Sequence, residues 1–179
     1  MRLGEYEPAR MRYGRVVLMM DQDDHGAHLT GEMLALFREY WPQLLEDGRV
    51  HCFVTPLVKC FVKRRGDDDP REVASFFSER ELREWREAGK EPTGAFYKYY
   101  KGLGTSDDEE QRAYFRDVSR HLKTFIFDEA GNEALRMFFD KKRVEDRRKW
   151  MADESRAVEL DYSQPSIRVE DFVNGPLLQ

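Results

Sequence analysis

The sequence predicts an α/β fold with a mainly parallel sheet flanked by helices. Residues 15–20 (RVVLMM) form an apolar run without polar alternation, which is typical of a strand buried on both faces. Residues 21–26 (DQDDHG) are an acidic turn, and from His28 onward apolar residues recur at helical spacing until Pro42. A strand, a turn and a helix in this order form half of a βαβ unit, the building block of parallel sheets.

The remaining elements follow from periodicity and turn signals. Residues 50–62 are rich in β-forming side chains but contain Pro56, so we predict two short strands or one kinked strand, followed by a charged loop over 63–71. Further predicted elements are strands over 96–100 and 124–127, helices over 78–88 and 106–122, and one long charged helix over 132–156. Two of these helices have capping-box spacing at their starts, in Ser78 with Glu81 and in Ser106 with Glu109.

Length and composition limit the class of protein. A chain of 179 residues with 40% hydrophobic residues suits one domain with a tail; we place a polar lead-in at 1–14, the main domain at 15–157 and the tail at 158–179. No apolar run approaches the roughly 18 residues of a membrane span. Residues 1–14 also lack the apolar centre of a signal peptide. Cys52 and Cys60 lie in apolar stretches, so we interpret them as buried thiols in a reducing, intracellular compartment.

The net charge of −5 argues against a domain that binds DNA by itself. Such domains are usually basic, because contact with phosphate drives their affinity. The negative charge is compatible with a metal site, since carboxylates that hold a cation add to it. A basic run over 141–149 is diluted by Glu145 and Asp146, which favours a solvated helix face over a phosphate contact.

The acidic turn is the first candidate site. In an extended turn alternate side chains point the same way, so Asp21, Asp23 and His25 would share one side at the end of a buried strand. Two carboxylates there suit Mg²⁺, whereas a neutral imidazole is a poor ligand for it, so His25 is the weakest of the three metal-ligand candidates. The alternative interpretation of the motif alone is a solvated loop or a helix start.

The glycine turn over residues 101–106 (KGLGTS) is the second candidate site. It follows a predicted strand and precedes a predicted helix, and Gly102 and Gly104 permit a tight turn and a close backbone approach. Helix N-termini favour phosphate, and Lys101 would add a positive charge. The alternative is an ordinary connection from strand to helix. His28, His51 and His121 are scattered without zinc-site spacing, and no local nucleophilic triad is evident.

Taken together, these motifs resemble those of type II DNA topoisomerases. Residues 11–31 (MRYGRVVLMMDQDDHGAHLTG) are similar to the family's strand, acidic turn and helix signature. The same order continues with Trp41-Pro42, Thr55-Pro56, the stretch 99–106 (YYKGLGTS), and residues 138–142 (FFDKK) with 146–150 (DRRKW). Residues 167–178 are similar to the entry to the family's winged-helix domain, so the resemblance covers nearly the whole chain.

The resemblance implies the second part of a TOPRIM (metal-binding) domain, a Rossmann-like fold that is incomplete here at its N-terminal side. It implies that Asp21 and Asp23 are catalytic residues that hold Mg²⁺ beside the scissile phosphate. Double-stranded DNA would contact Lys101, Gly102, Gly104, Thr105 and His28. ATP would be hydrolysed by a domain or subunit that lies outside this chain.

Three departures from the family pattern matter. The family's metal-binding glutamate, in a Glu-Gly-Asp motif, precedes the region that this chain covers. The third aspartate of the family's acidic motif is replaced by His25. The catalytic tyrosine belongs to a winged-helix domain beyond Gln179, so the nucleophile is not in this chain. We therefore expect a two-fold assembly with partner chains or domains, an exposed sheet edge or face where strands are missing, and no activity from the chain alone.

Two other functions are compatible with the sequence. One is a TOPRIM nuclease or primase relative, which would act on DNA without a tyrosine. The other is an assembly module of a topoisomerase that has lost metal binding, for which His25 is the evidence. The expected location is intracellular, either the nucleus or the cytoplasm of an infected or bacterial cell.

Overall fold

The computed structural model describes residues 6–63, Gly66 and residues 69–178, except the side chain of residue 154. The described strands are β1 (Val16–Leu18), β2 (Val50–Phe53), β3 (Val58–Val62), β4 (Arg71–Phe76), β5 (Ala95–Tyr99), β6 (Leu122–Ile126) and β7 (Ser166–Arg168). The described α-helices are α1 (Asp24–Tyr40), α2 (Pro42–Glu46), α3 (Glu79–Glu87), α4 (Asp108–Arg116), α5 (Val118–His121), α6 (Glu129–Phe139), α7 (Val144–Met151) and α8 (Val169–Asn174).

Two sheets organise the chain. The first has the strand order β1-β2-β6-β7, with β1–β2 and β6–β7 parallel and β2–β6 antiparallel, so the prediction of a mainly parallel α/β sheet is confirmed. The second sheet, with the order β4-β3-β5, is wholly antiparallel. Residues 50–62 contain two strands, and the break at Pro56 marks the passage from one sheet to the other.

The main core lies between the first sheet and the helices packed against it. Val50 and Phe125 from the sheet share one buried cluster with Leu34 of α1, Leu135 of α6 and Val173 of α8. The predicted tail therefore supplies β7 and α8 to this core. That the tail leads toward a winged-helix domain stays a prediction. A smaller cluster, formed by Val58, Cys60, Phe76 and Leu82, joins the second sheet to α3.

Several predicted boundaries were wrong. The long helix over 132–156 is two helices, α6 and α7, because Asp140 ends the first and its side chain accepts a 2.9 Å hydrogen bond from the Lys142 amide. Helix α1 begins at Asp24 rather than at His28, since the carboxylate of Asp23 caps it. Strand β4 was not predicted at all.

The two capping predictions had different outcomes. The Ser78 hydroxyl accepts a 3.2 Å hydrogen bond from the Glu81 amide, as predicted, but the Glu81 carboxylate accepts from Phe77 rather than from Ser78. The box at the start of α4 lies one residue later than predicted and pairs Asp107 with Glu110. Oδ1 of Asp107 accepts hydrogen bonds from the amides of both Glu109 and Glu110.

The ends of the first sheet are β1 and β7 within the described part of the chain. Large apolar side chains near these strands are partly exposed, including Met19 (44%) and Ile126 (44%). Cys52 and Cys60 are buried free thiols, and burial raises the pKa of Cys52 to about 12. None of the helices in residues 6–63 or 69–178 has both the length and the apolar character that crossing a membrane requires.

Candidate metal and DNA site

The acidic turn lies at the carboxyl end of β1, where α1 begins. Asp21, Asp23, Asp24 and His25 are all exposed. Oδ1 of Asp23 accepts a 2.9 Å hydrogen bond from the Gly26 amide, which caps α1 and leaves the other carboxylate oxygen of Asp23 without a role in the cap. The turn therefore presents carboxylates to solvent from a fixed position at the end of a strand.

The start of α1 folds tightly against the backbone of Asp21. A Cβ placed on Gly26 would lie 1.9 Å from the Asp21 carbonyl oxygen, so glycine is required at this position. His25 is the second residue of α1 and does not continue an extended turn. The alternation that placed His25 beside Asp21 and Asp23 therefore does not apply, and its role as a ligand stays a prediction without that support.

The glycine turn packs directly against the acidic turn. The Gln22 amide donates a 2.7 Å hydrogen bond to the Lys101 carbonyl oxygen. A Cβ on Gly102 would lie 2.1 Å from Oδ1 of Asp21, so the Gly102 backbone forms the surface on which that carboxylate rests. Two motifs that are distant in sequence are thus in direct contact.

The glycine turn is closed by hydrogen bonds of its own Thr105 side chain, and its Lys101 side chain remains accessible. The Thr105 hydroxyl donates a 2.9 Å hydrogen bond to the Gly102 carbonyl oxygen and accepts a 3.3 Å hydrogen bond from the Lys101 amide. Lys101 is exposed. No heavy atom lies within 4 Å of the Cβ position of Gly104, so the described part of the chain imposes no steric need for glycine there.

Two other predicted or suspected contact residues have partners within the chain. His28 lies one turn further along α1, 3.3 Å from Glu32, and its ring is 6.0 Å from that of Phe139. Arg147, in the basic run over 141–149 whose alternative interpretation is a phosphate contact, donates from Nη1 to the carbonyl oxygens of Phe138 (2.8 Å) and Asp140 (3.2 Å) at the end of α6. Arg147 therefore satisfies unpaired carbonyls at a helix C-terminus.

Sequence reasoning missed a buried ionic group behind the glycine turn. Lys59 on β3 is 2.9 Å from Oε1 of Glu110, which also accepts a hydrogen bond from the Tyr100 hydroxyl. The Lys59 side chain is only 4% exposed. The position of Lys59 within the apolar stretch 57–62 was the feature of the sequence that indicated a buried lysine. Its counter-ion lies on α4, however, and is not local in sequence.

A cleft of about 470 Å³ adjoins the acidic turn. One part of its wall is formed by residues 21–24, and the remainder is mainly apolar and includes Cys52, Leu160 and Tyr162. Burial raises the pKa of Tyr162, so its hydroxyl is neutral in this setting. The volume of this cleft beside the acidic turn lies in the range of small-ligand sites.

The residues of the acidic turn fit Mg²⁺ as a partial site. Carboxylate oxygens are the donors that this hard cation prefers, and it is commonly held by one or two of them with water or phosphate completing the shell. Among the residues that the structure describes, no group of three or more His, Cys, Asp or Glu side chains is arranged to hold a metal ion. The donor chemistry of Asp21 and Asp23 is of the kind that suits Mg²⁺ with water or phosphate oxygens in the remaining positions.

Comparison with known proteins identifies the family. Residues 53–179 match the family described as the C-terminal associated domain of TOPRIM, a match that begins after the acidic turn. The chain is 39% identical over 171 residues to DNA topoisomerase 2 of Arabidopsis thaliana, covering 94% of this chain and 11% of that protein. It is 37% identical over 173 residues to a putative mitochondrial DNA topoisomerase 2 of Caenorhabditis elegans, covering 94% of this chain and 14% of that protein.

A solved structure supports the same assignment. The crystal structure of the Plasmodium falciparum topoisomerase II DNA-binding, cleavage and re-ligation domain superposes with a TM-score of 0.83 at 34% identity, covering 97% of this chain and 23% of that one. The chain thus spans only a small part of the proteins that it matches. On these grounds the chain belongs to the type II DNA topoisomerase family and contains, over residues 53–179, the C-terminal associated domain of TOPRIM.

Proposed function

We propose that this chain supplies part of the Mg²⁺ site with which an ATP-dependent type II DNA topoisomerase cleaves and rejoins DNA. The observation that carries the proposal is the packing of the acidic turn on the glycine turn, in which Gln22 bonds to Lys101 and Asp21 rests on Gly102. This packing joins the acidic turn to the backbone of an exposed lysine at the end of a sheet strand, where open α/β folds bind ligands.

Each residue has a distinct task in this proposal. Asp21 and Asp23 hold Mg²⁺, which when bound stabilises negative charge on the phosphate and on the oxygen that leaves and returns. Lys101 attracts the DNA backbone beside them, and the Gly102 backbone keeps Asp21 in position. The Thr105 hydroxyl closes the glycine turn, which carries Lys101 and Gly102. The attacking tyrosine, the missing metal-binding glutamate and the ATPase site belong to other domains or subunits of a two-fold assembly.

A combination of fragments tests the proposal. The chain is mixed with fragments that supply the glutamate and the tyrosine, and Mg²⁺-dependent cleavage of supercoiled plasmid is measured. Asp23→Asn is the decisive variant, because asparagine caps a helix as well as aspartate does but carries no charge. We expect cleavage by the wild-type mixture, none by the chain alone, and a loss of at least about a hundredfold with Asp23→Asn.

Asp128 offers a matched control for the capping role. It caps α6 in the same way, accepting a 2.9 Å hydrogen bond from the Gly131 amide three residues later, and its other carboxylate oxygen forms an exposed 2.8 Å pair with Arg168, outside the acidic turn. Asp128→Asn should leave cleavage unchanged. Equal cleavage by wild type and Asp23→Asn in an assembled complex would contradict a metal role for Asp23.

One observation favours a second candidate function, that of a non-catalytic assembly module. His25 stands where the family motif has an aspartate. A mixture that assembles and cleaves DNA normally with both Asp21→Asn and Asp23→Asn would support this function. Cleavage by the chain alone would instead point to a nuclease.

A further inference from the structure

We propose that Lys59, Glu110 and Tyr100 form a positioning cluster that fixes the glycine turn beneath the Asp21 carboxylate. The inference rests on the proposed function, since it assigns the cluster a part in presenting the acidic turn to metal and DNA. The three are positioning residues because none of them belongs to the acidic turn itself.

Lys59 is placed where an ammonium group is costly. It lies on β3 between the buried residues Val58 and Cys60, and its side chain is 4% exposed. Its Nζ is 2.9 Å from Glu110, 3.4 Å from Glu72, and 5.1 Å from the centroid of the Tyr100 ring. A buried charge is tolerated only when its partners are held in place, so Lys59 requires a fixed Glu110.

Glu110 is the centre of the cluster. Oε1 accepts hydrogen bonds from Lys59 and from the Tyr100 hydroxyl, and Oε2 accepts a 3.0 Å hydrogen bond from the Asp107 amide. Burial acts to raise the pKa of Glu110, but the hydrogen bonds from Tyr100, Lys59 and Asp107 outweigh it and lower the pKa. Glu110 is therefore an anion at neutral pH that accepts hydrogen bonds from Lys59, Tyr100 and Asp107.

The cluster holds both ends of the glycine turn. Tyr100 precedes Lys101, and its own amide is fixed by a 2.8 Å hydrogen bond to the Leu57 carbonyl oxygen. Asp107, whose amide bonds to Glu110, directly follows the turn at its other end. A change at Glu110 would therefore loosen the turn at both of its attachments.

Neighbouring contacts restrict the middle of the turn. Nε2 of Gln111 donates to the carbonyl oxygens of Leu103 (3.2 Å) and Ser106 (3.0 Å), and the Ser106 hydroxyl is 3.2 Å from that of Tyr114. What the turn then presents is the Lys101 carbonyl, which binds Gln22, and the Gly102 backbone, on which Asp21 rests.

Hydrogen exchange of the Gln22 amide reports on this connection without metal or DNA. In the whole chain, Glu110→Gln removes the negative charge and keeps the side-chain shape. We expect protection of the Gln22 amide to fall about tenfold, as for loss of a charge-assisted hydrogen bond. Protection of the buried Val50 and Phe125 amides should change much less. Tyr100→Phe, which removes one hydroxyl, should have a smaller effect in the same direction.

Glu72→Gln is the matched control. Glu72 also pairs with Lys59, but it is more exposed and makes no contact with the glycine turn in the described structure. Its substitution should leave Gln22 protection unchanged. Unchanged Gln22 protection in Glu110→Gln would overturn the proposal, and so would an equal loss at Gln22, Val50 and Phe125, since that would show only general destabilisation.

The reconstituted complex gives the functional measurement. Glu110→Gln should raise the Mg²⁺ concentration for half-maximal cleavage several-fold, whereas Glu72→Gln should not. Selective loss of Gln22 protection with an unchanged Mg²⁺ requirement would overturn the role toward the metal, provided that Asp23→Asn abolishes cleavage. If Asp23→Asn also has no effect, the proposed function fails while the connection from Glu110 to Gln22 stands.

Discussion

The amide of Gln22 and the carbonyl oxygen of Lys101 are joined by a 2.7 Å hydrogen bond that connects the acidic turn to the glycine turn. Neither turn is a convincing site by itself: the first is a solvated loop at a helix start and the second a connection from strand to helix. Their contact gives the Asp21 carboxylate a defined support in the Gly102 backbone and joins the backbone of Lys101 to the acidic turn. Substitutions in the two turns and in the packing around them test this arrangement.

Gly102→Ala should disturb the site more than the fold. The new Cβ would lie 2.1 Å from Oδ1 of Asp21 but 3.1 Å from its Cα, so the carboxylate can rotate away while the backbone moves little. We expect Mg²⁺-dependent cleavage by the reconstituted complex to fall between about tenfold and a hundredfold, as for a misplaced catalytic group.

Gly104→Ala is the control for this substitution, because no heavy atom of the described chain lies within 4 Å of the new Cβ. It should reduce cleavage less than Gly102→Ala does, because the expected neighbour of Gly104 is DNA and not the Asp21 carboxylate. Wild-type activity in Gly102→Ala would show that the support under Asp21 is dispensable.

Gly26→Ala should instead destabilise the fold. Alanine is favoured over glycine within helices by about 1 kcal/mol. At this position, however, the new Cβ would lie 1.9 Å from the Asp21 carbonyl oxygen, a backbone atom that cannot rotate away. We expect a net loss of at least about 2 kcal/mol in the free energy of unfolding, measured by urea denaturation. Gly14→Ala, with open space around its Cβ, should change it by less than about 0.5 kcal/mol.

Local sequence patterns predicted the elements that depend on local chemistry. The apolar run 15–20 contains β1, Ser78 caps α3 as its spacing indicated, and Gly102 permits the close approach that glycine turns allow. Each of these depends on residues that lie within a few positions of one another, which a single sequence displays.

The features that were missed depend on contacts between distant residues. Strand β4 is stabilised by pairing with β3, and no short-range pattern revealed it next to a charged loop. Lys59 alternates with the apolar residues Val58 and Cys60, which is typical of an exposed strand residue. Its ion pair with Glu110 nevertheless allows it to be buried. The break that Asp140 makes between α6 and α7 lies in a largely charged stretch, and the Arg147 guanidinium of α7 stabilises it by binding the last carbonyls of α6.

Acidification should destabilise the chain through His121. Its ring lies between those of Phe53, Phe77 and Tyr114, at centroid distances of 5.4, 5.5 and 4.9 Å, and its Nδ1 is 2.8 Å from the Val54 carbonyl oxygen. Burial lowers the pKa of His121, with nearby Arg120 acting in the same direction, so the fold favours the neutral ring.

The sign of the pH effect follows from proton binding. Below the unfolded pKa of about 6.5 the unfolded chain binds a proton that the folded chain excludes. The stabilisation is therefore complete above that pH and is lost as the pH falls towards the lowered folded pKa, at no more than about 1.4 kcal/mol per pH unit. His51, whose pKa burial also lowers, adds to the effect.

Urea denaturation between pH 7.5 and pH 5 measures this dependence. His121→Gln retains an amide that can donate to Val54 but does not titrate, so its stability should fall less steeply with acidification than that of the wild type. Identical slopes for the two proteins would rule out His121 as a source of the dependence.

Arg147→Met should lower stability rather than DNA affinity. The guanidinium donates to two carbonyl oxygens at the end of α6, so its removal leaves half-buried acceptors unpaired. We expect a loss of about 1–3 kcal/mol in the free energy of unfolding. Arg148→Met is the matched control, because Arg148 is 73% exposed and pairs only with the similarly exposed Glu145 in the described structure. Its removal should cost less than about 0.5 kcal/mol.

DNA binding by the reconstituted complex, measured at several salt concentrations, separates a DNA-binding role of Arg147 from a purely structural one. If Arg147 binds a DNA phosphate, Arg147→Met will reduce the slope of log affinity against log salt by about one, whereas a residue that only binds the helix end leaves that slope unchanged.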